Sequence, residues 1–409
     1  MKKIVLQGGA KLNGEISVSG SKNAALPIIF ACILTNGVSE IENLPDIGDV
    51  RDALELIKIF GARIEMADGK ALIDTRELSY EKPSAALASK IRASTYLIGS
   101  CLARFGRCHI LPFGGCNFSL RPIDMHLDAC LKLGATVDGD FITASRLVGG
   151  EIHFAKPSVG ATVNAILLSA SADGETHIHG CAIEPHIDAL IDFLNSCGAM
   201  IERKGRSLYV VGRELHGGKI SIIGDMIEAG SYLALGALTG GKIRVNNLPM
   251  SDMDSVFREF SDIGVQIDVE SDSAIAGQLT SGNFLSLTTS PYPGFPTDLQ
   301  PIFAPLMAAA EGGVITDTVW QSRFGYLNSL APFGIESRLF EGSAQIYKSK
   351  TKCAKTVSTD LRGGMACLIT ALSSPGISEI YSADLILRGY ENLENKLGVL
   401  GADINILDG

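Results

Sequence analysis

The sequence predicts an α/β fold assembled from six copies of one small repeat, three to each of two domains, and three observations carry that reading. The first is self-similarity. A helical pattern that stops on a glycine, usually Gly-Ala, and runs into an alternating strand recurs at Gly61, Gly134, Gly198, Gly264, Gly334 and Gly401, 64 to 73 residues apart. The second is another helical pattern in each repeat, richer in Ala, Leu and Ile, which precedes Gly37, Gly106, Gly174, Gly241, Gly313 and Gly376. The third is the contrast between the two patterns: a helix apolar on all sides has to be buried, whereas its amphipathic partner can cover the outside. Each repeat therefore supplies one inner helix, one outer helix and several short strands, with Gly at the helix stop where a left-handed residue is needed.

In chain order, strands at residues 2–7 and 14–19 precede the first inner helix, which opens at Lys22, so the chain is expected to cross between domains twice. Dividing the six repeats evenly gives a first domain over residues 22–223, carrying the loop around Cys116, and a second over 1–21 plus 224–409. The boundary falls near 214–228, beside the polar, glycine-rich Glu214-Leu215-His216-Gly217-Gly218, and the active site is expected in a cleft between the two.

Composition narrows the function classes. With 46% hydrophobic and 20% charged residues over 409 positions, the chain can build large cores and is not a disordered one. Its 35 Lys+Arg against 45 Asp+Glu, a formal charge of −10, argues against a nucleic-acid or membrane-surface binder. Nine cysteines without a C-x-x-C pair and seven histidines without H-x-x-x-H or H-E-x-x-H spacing point away from a disulfide framework or a zinc site. Met1 to Gly9 turns polar and glycine-rich too early for a signal peptide, and no apolar run approaches the roughly 20 residues of a membrane span, so a cytoplasmic protein is expected.

Basic residues recur where helical patterns begin. Lys22 opens the first inner helix, Arg92 the second, Arg121 the second outer helix, Arg323 the fifth outer, Arg362 the sixth inner and Arg388 the sixth outer. A single arginine is usually a solvated surface residue. Six at one recurring position add full charges to partial positive helix ends, the arrangement expected for a small, highly anionic substrate. The stretch Gly114-Gly115-Cys116 followed by Arg121-Pro122-Ile123-Asp124 reads as a loop that carries a thiol beside a cation and leads into a helix.

Among the acids, Asp298 in Phe-Pro-Thr-Asp298-Leu stands at a helix start, where a capping role and a catalytic one are equally consistent with local sequence. Asp225, Glu228 and Asp360 read locally as structural. The run Gly236 to Lys242 has P-loop spacing, but Ile243 stands where the magnesium-binding hydroxyl belongs and the order is helix, loop, strand. Ser19-x-x-Lys22 likewise lacks the companion motifs of penicillin-recognising enzymes.

Together, Ser-Gly-Ser-Lys22-Asn23-Ala-Ala-Leu-Pro, Ile91-Arg92-Ala-Ser, Gly-Gly-Cys116, Arg121-Pro-Ile-Asp124-Met-His126, Lys156-Pro-Ser158-Val159-Gly160-Ala-Thr162, Phe-Pro-Thr-Asp298, Arg323-Phe, Thr-Asp360-Leu-Arg362 and Arg388-Gly-Tyr-Glu391 resemble the UDP-N-acetylglucosamine 1-carboxyvinyltransferase family of enolpyruvyl transferases, in order and over nearly the whole chain. The resemblance implies a two-domain inside-out α/β barrel. It also implies transfer of the enolpyruvyl group of phosphoenolpyruvate to the 3-hydroxyl of UDP-N-acetylglucosamine with release of phosphate, a step toward peptidoglycan precursors that fosfomycin blocks.

By the same resemblance, Lys22, Arg92, Arg121 and Arg388 would hold the phosphate of phosphoenolpyruvate, and Arg323 and Arg362 its carboxylate. Asn23, Arg121, Pro122, Ile123, Asp124, Met125, Lys156, Ser158, Val159, Gly160, Asp298 and Val319 would hold the nucleotide sugar. The catalytic set is Cys116, Asp298, Lys22 and Asp360, with no metal or other cofactor required and a monomer or weak homo-oligomer expected. The chain departs from the family pattern at Phe118, Ser119, His186, Gln321, Ser322, Gly363-Gly364 and Leu387. An enzyme that uses another alcohol, such as UMP, and a non-catalytic nucleotide-sugar binder are the alternative readings.

Overall fold

The structure, a computed structural model, describes residues 2–115 and 122–408. These form two compact lobes, residues 20–115 with 122–223 and residues 2–19 with 224–408. Each has its own apolar core: one gathers buried side chains from Ala24 to Ile222, the other joins Ile4 to Val18 with Ile227 to Ile404. None of the helices described is long and apolar enough to cross a membrane.

The inner helices are Lys22–Ala31, Leu97–Phe105 and Val159–Ser169 in the first lobe, and Met226–Thr239, Gln300–Ala309 and Leu361–Ser373 in the second. They are buried nearly throughout, as their unbroken apolar sequences require; Gln300–Ala309 has only its last residue exposed. The outer helices are one-sided. Gly48–Lys58 buries Val50, Ala53, Leu54, Leu56 and Ile57 while Arg51, Glu55 and Lys58 face solvent.

The six helix-stop glycines all have left-handed backbones, with φ between 90° and 101° at Gly61, Gly134, Gly198, Gly264, Gly334 and Gly401. The second glycine set is mixed, because close approach also selects glycine. At Gly241 a β-carbon would lie 1.7 Å from the Leu12 carbonyl oxygen. The P-loop-like run is the end of Met226–Thr239, its left-handed cap Gly240, and the strand Ile243–Asn246, the helix-loop-strand order expected.

Among the described residues each repeat has a small sheet, three sheets per lobe. In the first five repeats the strand after the inner helix pairs with a following hairpin, and in every repeat but the second it also pairs with a flanking parallel strand. In the third repeat, Glu151–His153 runs parallel to Glu175–His179, which pairs in turn with Ser207–Val211. Two leading strands pair, within their own lobe, with segments remote in sequence. Gly14–Ser17, which precedes the first inner helix, pairs with Ile243–Asn246 of the second lobe, and Lys219–Ser221, which precedes the fourth, pairs with Val38–Glu42 of the first. Finally, Lys2–Gly8 lies antiparallel between Gly376–Tyr381 and Asp403–Asp408, so the N-terminal strand completes the sheet of the last repeat.

Nothing lies within 4 Å of where a β-carbon would sit on Gly401, so only its φ of 90° resists a side chain there. Gly401→Ala is therefore expected to cost about 1–2 kcal/mol. Gly364→Ala should cost more, because its β-carbon would meet Ser358 Oγ at 2.3 Å and Ile386 at 2.6 Å. Urea denaturation followed by circular dichroism measures both, and equal midpoints for the two variants would contradict this assignment.

Candidate active site

In the second lobe the central group is Asp298. It lies just before Gln300–Ala309, yet its carboxylate does not cap that helix: Oδ1 accepts from Arg323 at 2.7 Å and Oδ2 from Arg362 at 3.2 Å. Both arginines are buried, 4% and 2% exposed, while the Asp298 side chain keeps 27% of its surface. The two terminal nitrogens of Arg362 have no hydrogen bond among the described residues, and its guanidinium carbon stands 5.4 Å from the Tyr390 ring centroid. Burial alone would weaken the Arg362 charge; the surrounding Tyr390, Asp298 and Asp225 outweigh it and hold the group protonated.

Neighbouring polar groups fix these arginines in place. Asp317, 1% exposed, accepts from Thr289 Oγ1 at 2.8 Å, Thr297 Oγ1 at 2.6 Å and the backbone amides of Val319 and Trp320 at 2.9 and 2.7 Å. Arg323 donates in turn to Thr297 Oγ1 at 3.2 Å, while its carbonyl accepts from Gln300 Nε2 at 2.9 Å. Val319, assigned to the nucleotide sugar, thus has its backbone pinned by a buried carboxylate. Asp360 caps Leu361–Ser373, its Oδ1 accepting from the amides of Arg362 and Gly363 at 3.0 Å each. Gly363, one of the departures from the family pattern, leaves no room for a side chain, since a β-carbon would meet Tyr326 at 2.4 Å.

In the first lobe, Lys22 is the first residue of its helix and its Nζ lies 3.5 Å from the buried carboxylate of Asp49. Asn23 follows on the same turn. That helix packs on the 3₁₀ turn Arg92–Tyr96 through Phe30 and Tyr96, whose ring centroids are 6.1 Å apart. Arg92 heads the turn, 5.7 Å from the Phe113 ring. Ser158 caps Val159–Ser169 by accepting from the Ala161 amide at 3.4 Å, and a β-carbon on Gly160 would strike the His126 ring at 2.8 Å. Asp124 and Met125 begin the helix Asp124–Lys132, preceded by Pro122 and Ile123, whereas Lys156 is exposed in the loop before Ser158.

His126 is held neutral. Burial, with the Arg92 charge second, pushes its imidazole down from 6.5 to about 4. The Asn164 amide nitrogen donates to its Nδ1 at 2.7 Å and to the Thr95 carbonyl at 3.1 Å, while Asn164 Oδ1 accepts from the Gly99 amide at 2.6 Å. One asparagine therefore ties Arg92–Tyr96, Leu97–Phe105 and Asp124–Lys132 together.

Lys22, Arg92 and Arg362 stand at helix starts, as expected. Arg323 and Arg388 do not. Arg323 lies in a turn before the short Leu327–Leu330, and Arg388 follows Asp384–Leu387 as its C-terminal cap. The outer helices of the last two repeats are broken there, and a β-carbon on Gly389 would meet Leu361 at 2.5 Å, so the chain turns until Asn392, at φ 49°, starts Leu393–Val399. Cys116, Phe118, Ser119 and Arg121 lie outside the described residues. Asp225 and Glu228 are structural, as expected: Asp225 caps Met226–Thr239, and Glu228, raised above its ordinary range by burial, pairs with Lys396 at 2.7 Å and accepts from the Ser19 amide at 2.8 Å.

The family model for EPSP synthase (3-phosphoshikimate 1-carboxyvinyltransferase) matches residues 6–397. The chain is 39% identical to UDP-N-acetylglucosamine 1-carboxyvinyltransferase 3 of Caldanaerobacter subterraneus subsp. tengcongensis, over 99% of each chain. It is 36% identical to UDP-N-acetylglucosamine 1-carboxyvinyltransferase of Campylobacter hominis, again over 99% of each. It belongs to the UDP-N-acetylglucosamine 1-carboxyvinyltransferase family of enolpyruvyl transferases. Of solved structures, the enolpyruvyl transferase NikO from Streptomyces tendae superposes with a TM-score of 0.91 at 25% identity, over 100% of this chain and 99% of that one. EPSP synthase from Acinetobacter baumannii shares the fold at a TM-score of 0.75 and 19% identity, over 100% of both chains.

Within this enolpyruvyl transferase, Asp49, His126, Asn164, Thr297 and Asp317 support the assigned residues; His126 and Thr297 stand in the motifs, but none of the five was given a role from sequence. Each is a short polar side chain whose partner is remote in sequence; only Asp49, an acid in the first turn of a largely buried helix face, left a local sign. His126 yields a pH test. It is neutral in the folded chain down to about pH 4, whereas an unfolded chain protonates it from 6.5. The unfolded state thus binds the extra proton, and stability falls as pH drops from 6.5 toward 4, by about 3 kcal/mol in all. Urea denaturation across that range should show wild type losing this increment and His126→Gln lacking it; parallel curves would refute a buried neutral His126.

Proposed function

We propose that this chain transfers the enolpyruvyl group of phosphoenolpyruvate to the 3-hydroxyl of UDP-N-acetylglucosamine and releases phosphate, serving peptidoglycan precursor synthesis in the cytoplasm. The identity of full-length relatives with that name supports the acceptor. The observation that carries the chemistry is the Asp298 carboxylate bonded to two buried arginines.

The reaction adds a proton to the methylene carbon of phosphoenolpyruvate and an alcohol oxygen to the adjacent carbon, giving a tetrahedral intermediate. Loss of a methyl proton and cleavage of the carbon-to-phosphate-oxygen bond then give the enol ether and phosphate. The first step needs an acid at the methylene carbon, a base at the alcohol, and fixed cations for the phosphate and carboxylate.

Arg323 and Arg362 are candidates for the substrate carboxylate. They already hold a carboxylate, that of Asp298, and Arg362 has donors to spare. Exchange of these contacts to the substrate would release Asp298 to accept the alcohol proton. Lys22, Arg92, Arg121 and Arg388 are assigned to the phosphate and Cys116 to the acid or to product release. Asp360 positions Arg362 through the helix cap. Asn23, Pro122 to Met125, Lys156, Ser158 to Gly160 and Val319 are assigned to the nucleotide sugar, and the protein is taken to work as a monomer or weak homo-oligomer.

A second reading keeps phosphoenolpyruvate and changes the alcohol, and the close superposition on NikO favours testing it. Phosphate release from phosphoenolpyruvate should depend on UDP-N-acetylglucosamine; release only with UMP would establish the second reading, and release with neither would leave a binding protein. Asp298→Asn should lower kcat by about 10²–10⁴, the usual share of a general base. With the nucleotide sugar present, fosfomycin should add to Cys116 and shift the intact mass; an unmodified protein would remove the reactive thiol from the mechanism.

A further inference from the structure

On the outer face of the third-repeat sheet, two neighbouring strands carry the same pattern of alternating residues. Glu151–His153 and Glu175–His179 pair in parallel, with Glu151 opposite His177, Ile152 opposite Ile178 and His153 opposite His179. Ile152 and Ile178 are fully buried, so the pleat sends Glu151, His153, His177 and His179 together to the other face. Metal-ligand spacings sought in helical form, H-x-x-x-H or H-E-x-x-H, pass over this arrangement; on paired strands the equivalent is E-x-H beside H-x-H.

We propose that Glu151, His153 and His179 form a surface site for a borderline-soft divalent cation of the zinc class. Glu151 Oε2 lies 3.0 Å from His179 Nε2 and 3.6 Å from His153 Nε2, and all three donor atoms lie within 4.8 Å of one another. A tetrahedral zinc ion with ligand bonds of about 2.0–2.1 Å separates neighbouring donors by roughly 3.3 Å. Two of the three pairs already bracket that spacing, so small side-chain rotations complete the set.

Outer contacts orient the donors. The two imidazoles stack, with centroids 4.6 Å apart and planes 16° from parallel. His179 Nδ1 lies 3.1 Å from Ser207 Oγ, so donation from Nδ1 leaves the Nε2 lone pair facing the site. His177 Nδ1, 3.1 Å from Glu151 Oε1, holds the other carboxylate oxygen, and its ring meets Tyr209 edge-on at 5.0 Å. Such outer partners fix tautomer and orientation in metal sites. Imidazole and carboxylate without thiolate suit zinc, cobalt or nickel better than calcium or magnesium. The fourth position is left to water. A bound ion would clip the edge strand Glu151–His153, five residues before the Ser158 cap, to the strand beside it.

The test uses the untagged, metal-stripped full-length chain titrated with cobalt(II) and followed by visible absorption. One equivalent should bind with d–d bands and no thiolate-to-metal charge-transfer band, which excludes the cysteines as ligands. His153→Ala and His179→Ala should each weaken binding tenfold or more, and Ser207→Ala by about tenfold. Zinc(II) should raise the melting temperature of wild type but not of the His153→Ala/His179→Ala double variant. Because these side chains lie on an exposed face, the unliganded melting temperature should be kept. Absence of binding at one equivalent, a thiolate band, or binding that survives the double variant would overturn the proposal.

Discussion

The second lobe is built around a cost: two guanidinium groups, Arg323 and Arg362, taken out of water within reach of one carboxylate, Asp298. Burying such charges is expensive unless their donors are satisfied. Asp317 and Asp360 add negative field, but much of their hydrogen-bonding capacity is committed to hydroxyls and backbone amides. The terminal nitrogens of Arg362 are left without acceptors among the described residues, a penalty of about 1–3 kcal/mol for a buried polar group. Under the proposed function, an anion bound at Arg362 would recover that penalty.

The first lobe treats charge in the opposite way. It keeps Lys22 and Arg92 at helix starts but makes the nearby ionisable ring, His126, neutral by burial and by an asparagine that offers it only a donor. A protonated His126 would add a third positive group at the Arg92–Tyr96 turn and lose the Asn164 contact. Gly160 belongs to the same device, because the ring occupies the space where its side chain would be. Its place in the Ser-Val-Gly run therefore has a packing cause as well as any role toward a nucleotide sugar.

The repeat was legible because its signals are local: glycines at left-handed stops, all-apolar inner helices, one-sided outer ones. Lys22, Arg92 and Arg362 were legible for the same reason, since a cation at a helix start can be read from a few residues. Arg323 and Arg388 were misplaced because helix continuity fails there for a tertiary reason, the approach of Leu361 to Gly389 among them. Asp298 could not be separated from a helix cap by sequence, as one partner that decides its role, Arg323, lies 25 residues on and the other, Arg362, comes from the next repeat. Asn164 and Asp317 gave no sign, because a polar residue inside an apolar run acquires meaning only from what lies across the interior. The histidine face of the third sheet was hidden differently: its spacing is that of a strand pair, and strand pairing had to be known first.

Pairings between strands remote in sequence impose an order on the chain. The first lobe is drawn from one stretch, described over residues 20–115 and 122–223, and its last strand Lys219–Ser221 closes the sheet begun by Val38–Glu42. The second lobe needs both ends of the polypeptide. Gly14–Ser17 waits for Ile243–Asn246, and Lys2–Gly8 has no sheet until Gly376–Tyr381 and Asp403–Asp408 exist. Closing loops of that length is slow compared with local pairing, and an unpaired strand with buried positions such as Ile4 and Leu6 is sticky while it waits. Lys3 and Gln7, which alternate with those apolar positions, give the waiting strand a polar face, and the sheet that finally takes it in joins the first residues of the chain to the last.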